Sequence, residues 1–153
     1  MNYRLAVPED IQACAVLRGQ TRENAVSVEQ LASLGITVES WADDVRSGLL
    51  AGYVYLDRDS IVGYCFGDNS SGEIVVLALL PDYENCGVGR RLLELVVKHL
   101  SGQGHRRLFL GAAADPTTRA HGFYRHLGWT STGTSAGRGD EILELFPSSN
   151  GAT

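Results

Sequence analysis

The sequence predicts a single α/β domain whose mixed, mostly antiparallel central sheet of about six or seven strands is flanked by helices. Hydrophobic patterns of strand and helix period alternate along the 153-residue chain, a length typical of one domain. Short polar turns separate neighbouring strand patterns, as in antiparallel pairs. Residues 74–80 are apolar at every position and precede a glycine-bearing turn, as in a strand covered on both faces. The expected elements are strands at 3–7, 49–56, 61–67, 73–80, 107–112, 129–134 and 141–146, and helices at about 8–18, 27–34, 37–47, 88–100 and 115–127.

Local signals place the helices near the N-terminus. Pro8 and the two acids after it suit the first turn of a helix. Ser27 and Gln30 have the spacing of a capping box, in which each side chain bonds the other residue's N–H group. Thr37 precedes the next helix in the same way. We therefore expect three helices between the first two strands.

The remaining elements follow from turns and helix termini. Polar turns at 57–60 and 69–72 join three strands into an antiparallel meander. The long helix from residue 88 has apolar residues at helical spacing, and Pro116 suits the start of the last helix. These elements form one domain at 1–146, followed by a flexible C-terminal tail at 147–153.

A glycine-bearing loop at the start of the long helix is the strongest functional signal. Gly87 and Gly89 leave N–H groups unshielded where the helix dipole is positive, which favours a phosphate or diphosphate. A phosphate-binding loop of the NTPase kind requires a lysine after its last glycine, but Arg90 follows here. A dinucleotide fingerprint requires another glycine at the position of Leu92. A loop-to-helix junction with no ligand would need small residues too, so both interpretations remain open on this motif alone.

Composition excludes several classes of function. A hydrophobic content of 44% and a charged content of 20% are typical of a soluble globular protein. The net charge of −5 argues against nucleic acid as a partner. Three cysteines and four histidines show neither disulfide nor metal-ligand spacing, so no metal is expected. The chain has no signal-like N-terminus and no apolar run that could span a bilayer, which predicts a cytoplasmic protein with no membrane partner.

Two motifs together resemble the GNAT superfamily of acyl-CoA-dependent N-acetyltransferases. Residues 84–89, Glu-Asn-Cys-Gly-Val-Gly, are similar to the family's diphosphate loop, Gln/Arg-x-x-Gly-x-Gly/Ala. Residues 117–129 match the alanine, tyrosine and glycine of a later family motif, Asn-x-x-Ala-x-x-x-Tyr-x-x-x-Gly-Phe, with tryptophan for the phenylalanine. The motifs occur in the family's order and on the expected elements. The resemblance implies transfer of an acetyl group from acetyl-CoA to a primary amine of a small molecule or peptide.

The resemblance also implies a cofactor site. The family parts its fourth and fifth strands, often with a bulge near the thioester, which here would expose the main chain of Leu77 and Leu79. The other implied cofactor contacts are Asn85, Cys86, Gly87, Val88, Gly89, Arg90 and Thr117. Glu84 departs from the family's Gln or Arg and is expected to point away from the phosphates, while Thr117 replaces the motif's Asn.

Two residues are the candidate catalytic groups. Tyr124 is the candidate general acid, because a phenol stays protonated at neutral pH and can protonate a leaving thiolate; the alternative is a buried core aromatic. Glu73 is the candidate base, by alignment with the catalytic glutamate of the histone-acetyltransferase branch; it would act through water, or it is a solvated strand end. Cys86 is explained better by cofactor binding than by a nucleophilic role.

Three questions remain open from the sequence. The protein is either an N-acetyltransferase or a catalytically weak acyl-CoA-binding sensor or interaction module, an alternative motivated by Glu84 and Thr117. Glu23, Trp41 and Arg138 are candidate acceptor contacts, since the family sets its acceptor with the corresponding regions. A homodimer is possible, because such folds often dimerise.

Overall fold

The computed structural model describes residues 2–23 and 25–147, where seven strands and five α-helices follow one another. They are β1 (Asn2–Leu5), α1 (Ile11–Arg18), α2 (Val28–Ser33), α3 (Val38–Ser47), β2 (Leu50–Asp57), β3 (Ser60–Asp68), β4 (Ile74–Leu79), α4 (Val88–Gly102), β5 (Leu108–Ala113), α5 (Arg119–His126), β6 (Thr130–Gly137) and β7 (Asp140–Leu145). The tail expected at 147–153 lies, apart from Pro147, outside the described residues.

The strands form two antiparallel sheets, with the orders β1-β2-β3-β4 and β5-β7-β6. A parallel bridge between Glu73 and Phe109 connects the start of β4 to β5. This arrangement confirms the predicted α/β fold with a mixed, mostly antiparallel sheet. The sheet is divided between β4 and β5, where the resemblance implied that the fourth and fifth strands part.

Helices cover both faces of the four-stranded sheet. Tyr64 and Phe66 on β3 pack against Trp41 of α3, with ring centroids 5.8 and 5.5 Å from the tryptophan. Cys65, between them, faces the opposite side and packs in a second apolar cluster with Leu92 of α4. Because successive strand residues face opposite sides, each helix layer has its own core. These layers hold β3 at the centre of the sheet and β4 beside it.

The predicted starts of α2 and α3 are confirmed by their hydrogen bonds, whereas the first helix, expected from Pro8, begins with a 3-10 turn at Pro8–Asp10 and becomes α-helical at Ile11. The Gln30 N–H group donates to Ser27 Oγ at 3.1 Å, and the Ser27 N–H group donates to Gln30 Oε1 at 2.8 Å. Thr37 and Ser40 make the same reciprocal pair at 3.0 and 2.9 Å. Local sequence is sufficient here because every partner lies within one helical turn.

The last helix begins later than predicted. It starts at Arg119, with the Thr118 hydroxyl accepting the His121 N–H group at 3.4 Å. The Asp115 carboxylate instead accepts the N–H and hydroxyl groups of Thr117 at 2.9 and 2.8 Å. Such a local turn offers the backbone an alternative to the helix, which is why the predicted start at residue 115 is wrong.

A part-buried ion pair fixes the start of α1 to β1. Asp10 is 8% exposed, and Arg4 donates two hydrogen bonds to its carboxylate at 2.8 and 2.9 Å. The Val7 N–H group donates a third at 2.8 Å. Burial by itself would raise the pKa of Asp10, but the bonds from Arg4 and Val7 outweigh burial and hold the pKa below its ordinary value.

We expect Asp10→Asn to lower the free energy of unfolding at pH 7 by about 1–3 kcal/mol, because it weakens this charged network. A carboxyl whose pKa is lower in the folded state stabilises above its unfolded pKa of about 4, and that stabilisation is lost as pH falls through the folded value. In urea unfolding, the difference in the free energy of unfolding between parent and variant should therefore be smaller at pH 3 than at pH 7. Asp59→Asn, at an exposed turn position, is the control. A difference of equal size at both pH values would contradict the expectation.

Candidate active site

A cleft opens between β4 and β5. The Phe109 N–H group donates to the Gly72 carbonyl at 3.3 Å, and the bridge between Glu73 and Phe109 closes this end. Beyond the bridge the two strands diverge and line a cavity of about 510 Å³. Residues from the end of α1, the following loop, α5 and the β6–β7 turn complete its walls. A cavity of this size is in the range of small-molecule sites.

A β-bulge interrupts β4 inside the cleft. Phe66 pairs with Val76 and Gly67 with Ile74, so Val75 has no partner on β3. The Val75 side chain is 45% exposed and lines the cavity. The prediction that both faces of this strand are covered is wrong at Val75, which is exposed where the bulge interrupts the pairing with β3.

The main chain of Leu77 and Leu79 faces the cleft. The Leu80 N–H group donates to the Val62 carbonyl at 2.9 Å, and alternate residues of an antiparallel strand bond to the same neighbour. The N–H and C=O groups of Leu77 and Leu79 therefore point away from β3 and toward the diverged β5. Both residues line the cavity. An extended ligand in the cleft would find a row of backbone donors and acceptors along this edge.

The loop before α4 brings the positive end of that helix to the cleft. Asn85 and Gly87 have φ angles of 63° and 85°, in the left-handed region. A Cβ on Gly87 would meet no atom within 4 Å, so the backbone conformation rather than crowding favours glycine there. Gly89 lies in the first turn of α4 and lines the cavity. The N–H groups of this turn are suited to an anionic group.

Three further predicted cofactor contacts lie in this loop and in the first turn of α4. Cys86 is exposed, and its thiol donates to the Tyr83 carbonyl at 2.8 Å. Val88 is 4% exposed and packs in the core, so only its main chain can reach a ligand. Arg90 is exposed and pairs with Glu94 at 3.2 Å. These positions surround the helix terminus without forming the cavity wall.

Thr117 is also absent from the described wall of the cavity. Its hydroxyl is bonded to Asp115, in the turn that precedes α5. The side chain is therefore engaged locally, where the family motif has an asparagine.

Tyr124 lies on α5 and lines the cavity. Its ring packs edge-on against Phe123 and Trp129, with centroids 5.1 and 6.1 Å away. Burial is the main cause that raises the pKa of the Tyr124 phenol, and the neighbouring Cys65 raises it further. The phenol is therefore protonated throughout the neutral range.

Glu73 stands at the closed end of the cleft, directly before Ile74 of the cavity wall. It is half-buried, and its N–H group donates to Ser71 Oγ at 3.2 Å. Burial, and secondarily the charge of Asp68, raise the pKa of the Glu73 carboxyl above its ordinary value. Such a carboxylate is a better proton acceptor than an exposed one.

Charged side chains concentrate at the open end of the cleft. Glu84 lines the cavity there, with its side chain 10% exposed, contrary to the expectation that it points away. Arg22 Nε lies 2.9 Å from Glu84 Oε1, and Arg119 Nε lies 3.9 Å from the same atom. Both arginines line the cavity. The carboxylate that departs from the family pattern is therefore neutralised by two cations.

Two of the three candidate acceptor contacts line the cavity, and the third does not. Glu23 and Arg138 line the cavity. Trp41 does not reach it and is only 7% exposed in the core beneath α1 and α3, so the suggestion that it contacts a ligand is wrong. An aromatic residue on an amphipathic helix can face either core or ligand, and only the packing partners distinguish the two.

Four charged residues of the cavity wall were not predicted from the sequence, namely Arg18, Arg22, Arg119 and Asp140. Arg22 meets Glu84 across 62 positions of sequence, and no local pattern indicates such a pair. Arg119 lies inside the later motif, which offered the one available signal.

Two classes of feature were not found within residues 2–23 and 25–147. None of the helices there is long and apolar enough to cross a membrane. Those residues also hold no group of three or more histidine, cysteine, aspartate or glutamate side chains that could bind a metal ion.

Comparison with known families decides the assignment. The acetyltransferase (GNAT) family profile matches residues 16–129, more than half of the chain. The chain belongs to the GNAT family. This confirms the resemblance drawn from the two motifs. No curated protein gave a significant match.

Solved structures with the same GNAT fold cover almost the whole chain. The PaiA N-acetyltransferase of Thermoplasma acidophilum, crystallised with coenzyme A, has a TM-score of 0.79 at 18% identity and covers 96% of this chain and 100% of its own. A ribosomal-protein-alanine N-acetyltransferase from Brucella melitensis has a TM-score of 0.74 at 17% identity, covering 96% and 100%. The ribosomal-protein-S18-alanine N-acetyltransferase of Escherichia coli has a TM-score of 0.69 at 17% identity, covering 95% and 94%. At these identities the likeness shows the fold alone.

Proposed function

We propose that the protein is an N-acetyltransferase that moves an acetyl group from acetyl-CoA to a primary amine of a small molecule or peptide by direct attack. The observation that carries the proposal is the cleft between β4 and β5, which presents an unpaired main-chain edge, the N-terminus of α4 and a phenol to one cavity. Membership of the GNAT family supports acyl transfer as the general chemistry.

The residues of the cleft fit coenzyme A in two ways. The main chain of Leu77 and Leu79 would hold the amide-bearing pantetheine arm, because an extended amide chain can bond to an open strand edge. The first turn of α4, from Val88 to Arg90, with the preceding residues Asn85, Cys86 and Gly87, would hold the diphosphate. Bound acetyl-CoA supplies an activated thioester, and the N–H groups of the β4 edge would polarise its carbonyl oxygen.

Tyr124 would donate a proton to the sulfur that leaves as acetyl transfer proceeds. The phenol lines the same cavity as the β4 edge and stays protonated at neutral pH. Glu73 would accept a proton from the attacking amine through a water molecule, at the closed end of the cleft. The open end of the cleft would then hold the phosphates. The bulge at Val75 lies between that end and Glu73 at the closed end.

Release of free thiol from acetyl-CoA, measured with a panel of amines and peptides, tests the proposed activity. Thiol release that depends on an added amine, with the acetylated amine identified by mass spectrometry, is the expected result. Absence of coenzyme A binding by calorimetry at millimolar ligand would overturn the proposal.

A second candidate is an acyl-CoA-binding module with weak or no turnover. The bond between the Thr117 hydroxyl and Asp115 favours it, since this side chain is not directed at the cavity. Tight binding of coenzyme A with no thiol release from any acceptor would support the module and exclude the enzyme.

Glu73→Gln should lower kcat/KM at neutral pH about 10-fold, because an amide keeps the shape of the side chain but accepts no proton from an ammonium group. The raised pKa of Glu73 means that the carboxylate is protonated as pH falls through that value, so activity should decline there in the parent protein. The variant should lose this decline when both proteins are assayed from pH 5 to 9 with one amine. An unchanged acid limb would remove Glu73 from the mechanism.

A further inference from the structure

Four side chains connect the loop after α1 to both walls of the open end of the cleft. Arg22 Nε donates to Glu84 Oε1 at 2.9 Å. The next residue, Glu23, accepts the main-chain N–H group of Arg119 with both carboxylate oxygens, at 3.1 and 3.2 Å. Arg119 itself lies 3.9 Å from Glu84. Three segments that are distant in sequence therefore meet around the Glu84 carboxylate.

The Arg119 guanidinium lies close to the start of α4. It stands over the Phe123 ring at 5.6 Å from the centroid. The same ring lies 3.6 Å from the position of a Cβ on Gly89, in the first turn of α4. The cation, the ring and the helix terminus are therefore neighbours on one wall of the cavity.

Charge balance favours an anion at this point. Within the cluster the two guanidinium groups are balanced by the carboxylates of Glu84 and Glu23. The cavity wall as a whole carries one more arginine than carboxylates, because Arg18, Arg22, Arg119 and Arg138 line it together with Glu23, Glu84 and Asp140. Glu84 is 10% exposed, whereas the side chains of Arg22 and Arg119 are 59% and 36% exposed and can reach a ligand in the cleft. Guanidinium groups also have enough donors to bond a carboxylate and a phosphate together.

We propose that Glu84 is a positioning residue for the cofactor phosphates, holding Arg22 and Arg119 at the open end of the cleft so that both guanidinium groups contact a phosphate beside the first turn of α4. This inference rests on the proposed function, since it takes coenzyme A as the ligand. The glutamate that departs from the family's diphosphate motif then contributes to binding through its two arginines.

Removal of the Glu84 charge should change cofactor affinity in opposite directions for a positioning role and for simple repulsion of the phosphates. If Glu84 acted only through its own negative charge, removing that charge would strengthen the binding of a polyanion. If it positions the arginines, the same removal weakens binding, because the guanidinium groups lose the partner that orients them. A merely structural role would weaken the binding of phosphate-bearing and phosphate-free ligands alike.

The test measures the affinity of Glu84→Gln for coenzyme A and for pantetheine, which lacks the phosphates, by calorimetry. We expect about 10-fold weaker binding of coenzyme A, unchanged binding of pantetheine and a smaller dependence of coenzyme A affinity on salt. Asp82→Asn removes the same charge from an exposed position two residues before Glu84 and should not weaken binding. Arg119→Gln should reproduce the loss, and Glu84→Gln should cost little more when it is added to Arg119→Gln.

Binding of coenzyme A by Glu84→Gln as tight as that of the parent, or tighter, would overturn this inference while leaving the proposed function intact. An equal loss of coenzyme A and pantetheine would overturn it in favour of a structural role. Failure of the unmodified protein to bind coenzyme A would overturn both. The thermal midpoint of each variant, measured without ligand, reports whether it is folded.

Discussion

Tyr124→Phe should lower kcat about 100-fold while leaving the affinity for coenzyme A within about 2-fold of the parent, given the usual size of general-acid effects. The substitution removes one hydroxyl and keeps the ring that packs against Phe123 and Trp129. The fold and the cavity wall should therefore be preserved. The lost group is the one that we propose protonates the departing sulfur.

The raised pKa of Tyr124 is compatible with this role. Burial disfavours the charged form of any acid, so a thiolate forming in the same cavity becomes more basic for the same reason that the phenol does. The difference between the pKa of the phenol and that of the leaving thiol therefore changes less than either pKa does. Protonated phenol is available across the whole working range of pH.

Steady-state kinetics with saturating amine and acetyl-CoA would measure the change. Tyr83→Phe is a matched control, because it also removes a tyrosine hydroxyl. In the parent protein that hydroxyl donates to Asp57, and Tyr83 is absent from the described cavity wall. An unchanged kcat in Tyr124→Phe would assign Tyr124 to packing alone.

Gly89→Asp should weaken coenzyme A binding by at least about 100-fold without destabilising the fold. A carboxylate in the first turn of α4 would stand where the diphosphate is expected, and two like charges about 4 Å apart repel by a few kcal/mol near a protein surface. A Cβ at Gly89 would meet the Phe123 ring at an ordinary contact distance of 3.6 Å. An acid in a first helical turn is itself favourable for helix stability.

Gly89→Asn provides the matched control, with the same size and no charge. Calorimetry should show a much larger loss for the aspartate than for the asparagine, and thermal unfolding should give the aspartate variant a midpoint equal to or above that of the asparagine variant. Equal losses in the two variants would mean that crowding, rather than charge, governs the site. Unimpaired binding in the aspartate variant would place the phosphates elsewhere.

Sequence motifs predict local features well when the residues involved lie close together along the chain. The loop at 84–89 combines a left-handed Asn85 and Gly87 with the start of α4, and all of these are neighbours along the chain. Tyr124 was found in the same way, through its spacing within one helix, and it lines the cavity. Its catalytic role, however, remains a prediction.

Residue types that suit two environments are not placed correctly from the sequence. Trp41 was a candidate ligand contact, yet it packs between Tyr64 and Phe66. Glu84 was expected to turn away, because a lone carboxylate beside a diphosphate site is unfavourable. Arg22 changes that balance, and it approaches Glu84 only because the loop after α1 crosses the cleft.

The sequence by itself determined the order of the elements, the capped helices and the glycine-bearing turn before α4, because hydrophobic period, capping and left-handed turns act over a few residues. The resemblance implied that the fourth and fifth strands part, often with a bulge, but only the tertiary structure placed that bulge at Val75 and grouped the charges at the open end of the cleft. These features depend on which distant segments pack together. The segments that pack beside a carboxylate or a strand edge decide whether it is neutralised, paired or open to a ligand. Residue spacing along the chain does not specify which segments those are.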